Sequence, residues 1–222
     1  MAGLSTLYVS TPARLDPATV EAVLVTARAA GVERVVQLSA IGADEMDWLP
    51  HARIETAIQA SGVASLVVRA NWFFENFTHP PLSTWIRRDG ALVSCAGDAS
   101  VSIIGAQDVA RAMAAALLDD DVVGRLALTG PHAVRLSDVA AWIGRAIQRP
   151  VRLVTLDPEH FARKLDADGV PAPVVPILTQ MFAQLGSASS ARVTDAVERL
   201  TGFPPTAIDY LCDTYTTVPA TG

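Results

Sequence analysis

The sequence predicts an α/β protein built on a parallel, doubly wound sheet. Short apolar runs typical of buried strands alternate with longer segments of helical periodicity over the first 70 residues, which is the pattern of βαβ units. Proline and glycine mark where the helices begin and end, as at Pro50 and Gly62. With 222 residues and 50% hydrophobic content, the chain can bury a substantial core.

The elements of this first part follow in a regular order. The chain is predicted to form strands at 4–11, 34–39 and 65–69, and helices at 17–31 and 50–61. Asp16 and Pro17 provide a helix cap followed by a proline at the first helical position. Three strands joined by two helices predict right-handed crossovers and a parallel sheet.

The pattern loosens after residue 78, so we predict two regions, 1–78 and 79–222. The second region packs on the first and includes a returning strand at 125–129. Further strands are predicted at 91–95 and 151–156, and helices at 80–90, 108–118 and 137–148, the last capped by Ser137. Residues 157–186, broken by three prolines, read as a helical lid, and a last helical pair flanks 202–205.

Composition limits the classes of partner and compartment. A net charge of −6 and no long basic run argue against nucleic acid or an anionic membrane as partner. No apolar run reaches membrane-spanning length, and the N-terminus lacks a signal-peptide pattern. Cys95 and Cys212 are read as reduced thiols, so we expect a cytoplasmic protein.

The stretch 65–77 changes from an apolar strand to aromatic residues interleaved with polar ones. Ligands of open α/β sheets bind at the carboxyl ends of the strands, where this segment leaves the sheet. A core strand followed by a core helix is the alternative interpretation. The predicted substrate-binding residues are Ser39, Trp48, Asn71, Trp72, Phe73, Asn76, Phe77 and Trp85.

Three residues are candidates for acid/base catalysis at this edge. His51 lies near a predicted helix start, with Glu55 one turn later to orient its imidazole. Glu75 lies among aromatic residues that would raise its pKa, and Asp47 lies in the loop before the helix. A surface histidine and solvated carboxylates are the alternatives. The four histidines and two cysteines show no metal-ligand spacing, so no metal site is expected.

The order of motifs resembles that of a known family. LYVSTP, VVQLSAIGAD, HARIETAIQASGV, VVRANWFFENF, LALTGP and VTDAVERLTGFPPT follow one another as in the NmrA-like family of atypical short-chain dehydrogenases/reductases. The resemblance implies a Rossmann-like fold and NAD(P)-dependent reductases, redox-sensing regulators or tailoring enzymes as relatives. It also places His51 where isoflavone-reductase-like sequences carry a catalytic lysine.

One departure from the family decides our expectation for the cofactor. Family members bind the dinucleotide diphosphate with a glycine-rich turn in an early βαβ unit, whereas no two of the fourteen glycines here lie closer than six positions. We therefore expect a truncated Rossmann-like sheet holding the last three or so strands, no bound cofactor, and NAD(P) only weakly or with a partner chain. The first strand would then be an exposed edge, which predicts a homodimer.

These observations favour a cofactor-independent enzyme, an isomerase, cyclase or lyase acting on a hydrophobic metabolite of secondary metabolism. Two alternatives stay open. One is an NAD(P)H-dependent oxidoreductase whose nucleotide site needs a partner chain, and the other is a non-catalytic sensor that keeps only a ligand pocket.

Overall fold

A computed structural model describes residues 4–11, 17–46 and 48–217 and shows the predicted α/β architecture. Its main sheet has four parallel strands in the order β1-β2-β3-β6. The four strands are β1 (Thr6–Ser10), β2 (Arg34–Ala40), β3 (Ala64–Ala70) and β6 (Gly124–Leu128). The returning strand β6 pairs with β3 from Leu66 opposite Gly124 to Ala70 opposite Leu128, as the sequence predicted.

Helices cover both faces of this sheet because neighbouring strand residues point to opposite sides. Val35 packs with Ile54 and Ile58 under α1 (Pro17–Ala29) and α2 (Pro50–Ala60). Val36 packs on the other face, under α4 (Ala106–Leu118) and α8 (Ala196–Thr201). The doubly wound arrangement is therefore confirmed.

The remaining elements build a second apolar core beyond the carboxyl end of β3. They comprise a 3-10 helix (Phe74–Thr78), α3 (Leu82–Asp89), α5 (Leu136–Ala146), α6 (Pro158–Ala167), α7 (Val175–Gln184), α9 (Ile208–Asp213) and a final 3-10 turn (Thr214–Thr217). Two small sheets complete the region, one parallel from β4 (Ala91–Ser94) and β8 (Arg152–Thr155), the other antiparallel from β5 (Ser100–Val101) and β7 (Val134–Arg135).

One predicted helix cap is wrong. Ser137 was expected to cap α5, but the helix begins one residue earlier, at Leu136, with Arg135 at the N-cap position. Asp98, from the loop before β5, accepts hydrogen bonds from the Ser137 backbone N–H (2.9 Å) and hydroxyl (2.9 Å). A carboxylate distant in sequence thus satisfies the helix end, which the local sequence does not reveal.

Strand β1 is the edge of the sheet within the described residues, where it pairs only with β2. Tyr8 is 44% exposed and Leu4, just before the strand, is 53% exposed.

None of the helices in the described ranges is long and apolar enough to cross a membrane.

Candidate functional site

A cavity of about 290 Å³ lies at the carboxyl ends of β1, β2 and β3. Parallel strands present their carboxyl ends at one edge, so residues distant in sequence meet there. The floor of the cavity includes Ser10 at the end of β1 and Thr11 after it, Ser39 and Ala40 on β2, and Asn71 after β3. This is the edge at which the sequence predicted a ligand site.

Six of the predicted site residues line this cavity. His51 stands on α2, and the other five come from β2 and from the segment after β3. The six are Ser39, His51, Asn71, Trp72, Phe73 and Asn76. The structure therefore brings the first candidate for catalysis and five predicted binding residues into one site.

Three other predicted binding residues do not line the cavity. Trp48 is 38% exposed, and Phe77 and Trp85 belong to the second core, 1% and 0% exposed. The Trp85 indole N–H donates to Asp168 at 2.7 Å, and its ring packs edge-on against Phe161. These three are not among the residues that line the cavity in the described part of the chain.

The Glu75 carboxylate contacts a helix end. Its Oε2 accepts a hydrogen bond from the Ala106 backbone N–H at 3.0 Å, at the first turn of α4. A carboxylate there satisfies an unpaired donor and interacts favourably with the helix dipole. This contact gives Glu75 a structural role. Asp47, the third candidate for catalysis, lies outside the described residues.

The His51 imidazole is largely buried at the wall of the cavity. Burial lowers its pKa below 6.5, and the negative charge of Glu55 and a backbone contact with Thr11 oppose that shift in part. Its Nδ1 is buried and has no hydrogen-bond partner among the described residues. His51 is therefore neutral at pH 7 and has a ring nitrogen free to bind a ligand after a small movement of the side chain.

Glu55 does not orient His51 through a hydrogen bond, contrary to the expectation from their spacing. The buried Glu55 carboxylate instead accepts from the Ser39 hydroxyl at 2.5 Å and from Arg69 at 3.0 and 2.7 Å. Arg69 also pairs with Asp44 at 2.8 Å. A bidentate guanidinium is the stronger partner for a buried carboxylate, so Glu55 affects the imidazole only through its charge.

Asn71 and Asn76 line the same cavity in different ways. Asn71 is 3% exposed, and its amide donates to the Ser102 hydroxyl (2.6 Å) and the Ser190 carbonyl (2.8 Å). Its side-chain oxygen accepts from the Trp72 backbone N–H at 2.8 Å. The Asn76 side chain makes no hydrogen bond with the described residues, so its amide is available to a ligand.

The sequence did not indicate which residues form the roof of the cavity. Met181, Gln184 and Leu185 of α7 and its C-terminus lie at i, i+3 and i+4, on one face of the helix, and line it. Their region was predicted as a helical lid, but nothing in the local pattern gave its docking position. Ser190 and the apolar side chains of Ile41, Met46 and Leu49 also line the cavity.

Glu45 ties α7 to the loop after β2. Its Oε2 accepts from the Gln184 amide at 3.0 Å and from the Ser189 hydroxyl at 3.3 Å. Gly42, with φ 77°, permits this approach, since a Cβ there would lie 3.0 Å from Gln184 Nε2. We call Glu45, Gln184 and Ser189 the roof contact.

Metal-binding chemistry has no support in the part of the chain that the structure describes. No group of three or more histidine, cysteine, aspartate or glutamate residues is arranged there to hold an ion.

Both cysteine thiols have a raised pKa because they are buried. The pKa of Cys95 lies above its usual value, and that of Cys212 is about 12.

No protein-family model matches the chain, but individual proteins do. It is 29% identical over 212 residues to an NAD(P)H azoreductase from Xenophilus azovorans, covering 92% of this chain and 73% of that protein. The chain spans between 50% and 73% of the length of the first curated relatives it matches.

Solved structures show the same fold. The chain matches the NADPH-dependent quinone oxidoreductase QOR2 of Escherichia coli in complex with NADPH with a TM-score of 0.86 and 21% identity, covering 97% of this chain and 77% of that one. A double mutant of NmrA matches with a TM-score of 0.71 and 18% identity, over 96% of this chain and 74% of that one.

These findings correct two of our expectations. The prediction of a cofactor-independent isomerase, cyclase or lyase is wrong, because several curated relatives are named as oxidoreductases or dehydrogenases, and the azoreductase is named for its use of NAD(P)H. The prediction of no cofactor is wrong for the same reason. The error came from treating the absence of a glycine-rich turn among these 222 residues as the absence of a cofactor.

Proposed function

The chain is NmrA-like in its motifs and in its fold, and from that premise we propose that it is the acceptor-binding part of an NAD(P)H-dependent oxidoreductase. The observation that carries the proposal is the cavity at the carboxyl ends of β1, β2 and β3, where doubly wound sheets bind dinucleotides and their substrates. The retained alternative from the sequence, a reductase completed by another segment or chain, is therefore preferred.

The donor set of the cavity fits the nicotinamide end of the cofactor. Ser10 ends β1 and Thr11 follows it, and both line the cavity. The Asn76 amide has no hydrogen bond with the described residues, so it can bind a carboxamide group. Trp72 and Phe73 supply flat apolar surface for a ring. When bound, the reduced cofactor supplies a hydride, so that with one proton an acceptor gains two electrons and two hydrogens.

The diphosphate needs residues that are not among these 222. Dinucleotide-binding sheets hold it with closely spaced glycines at a helix N-terminus, and the glycines of this chain lie six or more positions apart. The proposal therefore places diphosphate binding on a preceding segment of the same protein or on a partner chain, next to the free edge of β1.

The side chains of this chain bind and orient the acceptor. Met46, Leu49, Phe73 and Met181 surround it with apolar surface and exclude water. In the tautomer that carries its proton on the unpartnered Nδ1, the neutral His51 ring offers an N–H to an acceptor oxygen or nitrogen. We therefore assign hydrophobic small molecules as substrates and His51 as the hydrogen-bond donor to the reduced group.

The test uses the protein isolated from its own cells through a C-terminal affinity tag, so that any preceding segment or bound partner is kept. NADPH and NADH are titrated in, and binding is followed by cofactor fluorescence and by the melting temperature. Oxidation of each cofactor is then measured with 2-methoxy-3-methyl-1,4-naphthoquinone and with 4-dimethylaminoazobenzene as acceptors.

We expect one nicotinamide cofactor to bind, to raise the melting temperature and to be oxidised with at least one acceptor. His51→Gln should lower kcat/KM about 10- to 100-fold without weakening cofactor binding. Binding of neither cofactor would overturn the proposal. Binding without oxidation of either acceptor would instead support the non-catalytic sensor.

A further inference from the structure

We infer that the cavity selects uncharged acceptors, and that Met181 of α7 is a residue that sets this selectivity. The inference rests on the proposed function for the identity of the ligand as an acceptor, and it adds the charge class that the site takes. Its basis is the composition of the cavity wall together with the contacts of Glu55 and Glu45, two described carboxylates that accept hydrogen bonds from lining residues.

No lysine, arginine, aspartate or glutamate lines the cavity among the residues that the structure describes. The polar side-chain groups of the described wall are hydroxyls, amides, one imidazole and the Trp72 indole N–H, and several of the hydroxyls and amides already have partners. The Ser39 hydroxyl is held by Glu55, the Asn71 amide by Ser102 and Ser190, and the Gln184 amide by Glu45. A charged substituent that enters would lose its hydration without meeting a counter-ion.

The described side chains around the cavity wall do not supply a counter-ion for a charged ligand either. His51 is the ionisable group of the described lining, and its burial keeps it neutral at pH 7. The negative charge of Glu55 is matched by Arg69, which Asp44 also contacts. Glu45 points its carboxylate at Gln184 and Ser189, which are neutral, so this side of the roof disfavours an anion.

Met181 is the wall position at which a charge can be introduced with least damage. It is partly exposed, whereas Leu185, one turn further, is 5% exposed and belongs to the second core. A lysine at 181 keeps a long, unbranched side chain, so its stem can follow the path of the methionine while its ammonium group reaches the cavity. The neighbouring Gln180 is exposed on the same helix and does not line the cavity, which makes it the matched control position.

The experiment compares two quinones that differ by one methyl group. 2-Hydroxy-3-methyl-1,4-naphthoquinone is an anion at pH 7.5, whereas its methyl ether is neutral, and the substituents of both block addition of thiols to the ring. Dissociation constants are measured by equilibrium dialysis with the tagged protein saturated with the oxidised form of the nicotinamide cofactor that it binds, which cannot reduce the quinone, or without cofactor if none binds. Turnover is measured separately by oxidation of that cofactor.

We expect the wild-type protein to bind the ether at least 10-fold, and up to about 100-fold, more tightly than the anion. Met181→Lys should reduce that ratio about 10-fold or more by strengthening anion binding. Met181→Leu and Gln180→Lys should leave the ratio within about 2-fold of the wild type, the latter because an exposed charge is screened.

Equal binding of the two quinones by the wild type would overturn the inference, as would an equal change of the ratio in Met181→Lys and Gln180→Lys. If Met181→Lys fails to fold, judged by its melting transition, the wild-type ratio decides alone. Preference for the ether without cofactor oxidation would refute the proposed function and leave the selectivity standing. Oxidation without preference would do the reverse.

Discussion

At the scale of single residues, two asparagines that line the cavity have different roles: the amide of one is used within the protein and the amide of the other can bind a ligand. Asn71 is buried and makes three hydrogen bonds, so Asn71→Ala leaves the Ser190 carbonyl and the Trp72 N–H with one partner fewer. We expect Asn71→Ala to lower the free energy of unfolding by about 2–3 kcal/mol. Asn76→Ala should change it by less than about 0.5 kcal/mol.

The measurement is urea unfolding of both variants, followed by circular dichroism. The two substitutions remove the same amide, so they are matched in chemistry and differ in their contacts. Asn76→Ala is further expected to reduce kcat/KM about 10-fold in the reductase assay. A larger loss of stability in Asn76→Ala than in Asn71→Ala would contradict the assignment.

The buried imidazole of His51 makes stability depend on pH. Its pKa in the folded protein is lowered below 6.5 by burial, so the unfolded chain binds a proton at a higher pH than the folded one. The contribution of neutral His51 to the free energy of unfolding is therefore fully present above pH 6.5. It decreases as the pH falls from 6.5 towards the pKa of His51 in the folded protein. His51→Gln, which cannot take up a proton, should lose less of its melting temperature between pH 7.5 and 5.5 than the wild type.

Melting curves at half-unit pH intervals check this difference. The carboxylates that are paired with arginines do not interfere with this comparison. The pKa values of Asp44 and Asp98 are lowered from 3.8, so protonation of these groups affects the melting temperature only at lower pH. Parallel pH profiles for the wild type and His51→Gln would show that the imidazole is not buried as described.

At the scale of elements, the roof contact holds α7 over the cavity. Glu45→Ala removes the acceptor shared by Gln184 and Ser189, so the amides of α7 should exchange their hydrogens faster. We expect an increase of roughly 5- to 10-fold, since one or two exposed hydrogen bonds contribute modestly. Hydrogen exchange followed by mass spectrometry of α7 peptides measures it.

Glu45→Gln serves as the control for that experiment. Its side-chain oxygen can still accept from Gln184 and Ser189, so exchange in α7 should remain close to that of the wild type. The α1 peptides provide an internal reference, because that helix packs in a different apolar cluster from α7. Equal acceleration in α1 and α7 would point to general destabilisation and contradict a local contact.

Elements and their order were predictable because each depends on local signals. Pro50 begins α2 and the apolar run around Val35 and Val36 marks β2, so three strand ends and the cavity floor followed from sequence. The position of α7 depends on contacts between residues more than 130 positions apart, such as Glu45 and Gln184. Phe77 and Trp85 are aromatic like the residues that line the cavity, but the 3-10 helix and α3 that carry them pack into the second core.

At the scale of the whole molecule, one edge of β1 has no partner strand among the described residues. Its exposed Tyr8 and unpaired backbone form a surface on which another strand can add, so we propose that a second copy or a further segment covers it. Tyr8→Lys should abolish that association without lowering the stability of the separated chain by more than about 0.5 kcal/mol.

Light scattering coupled to size exclusion, at micromolar concentration, reports the association. The matched control is Val25→Lys, which is 72% exposed and lies on α1 rather than on the strand, and which should leave the molar mass unchanged. A monodisperse monomer for the wild type would rule out a homodimer, and an equal effect of both lysines would place the contact elsewhere.

The long return from β3 to β6 affects how this protein matures during synthesis. β3 ends at Ala70, whereas β6, the strand that pairs with it, is completed only at Leu128, which is 58 residues later. At translation rates of about 5–20 residues per second, the nascent chain exposes an apolar strand on the ribosome for roughly 3–12 s before its pairing partner exists. One edge of β3 therefore stays without its partner strand until the whole second half of this unit has been synthesised.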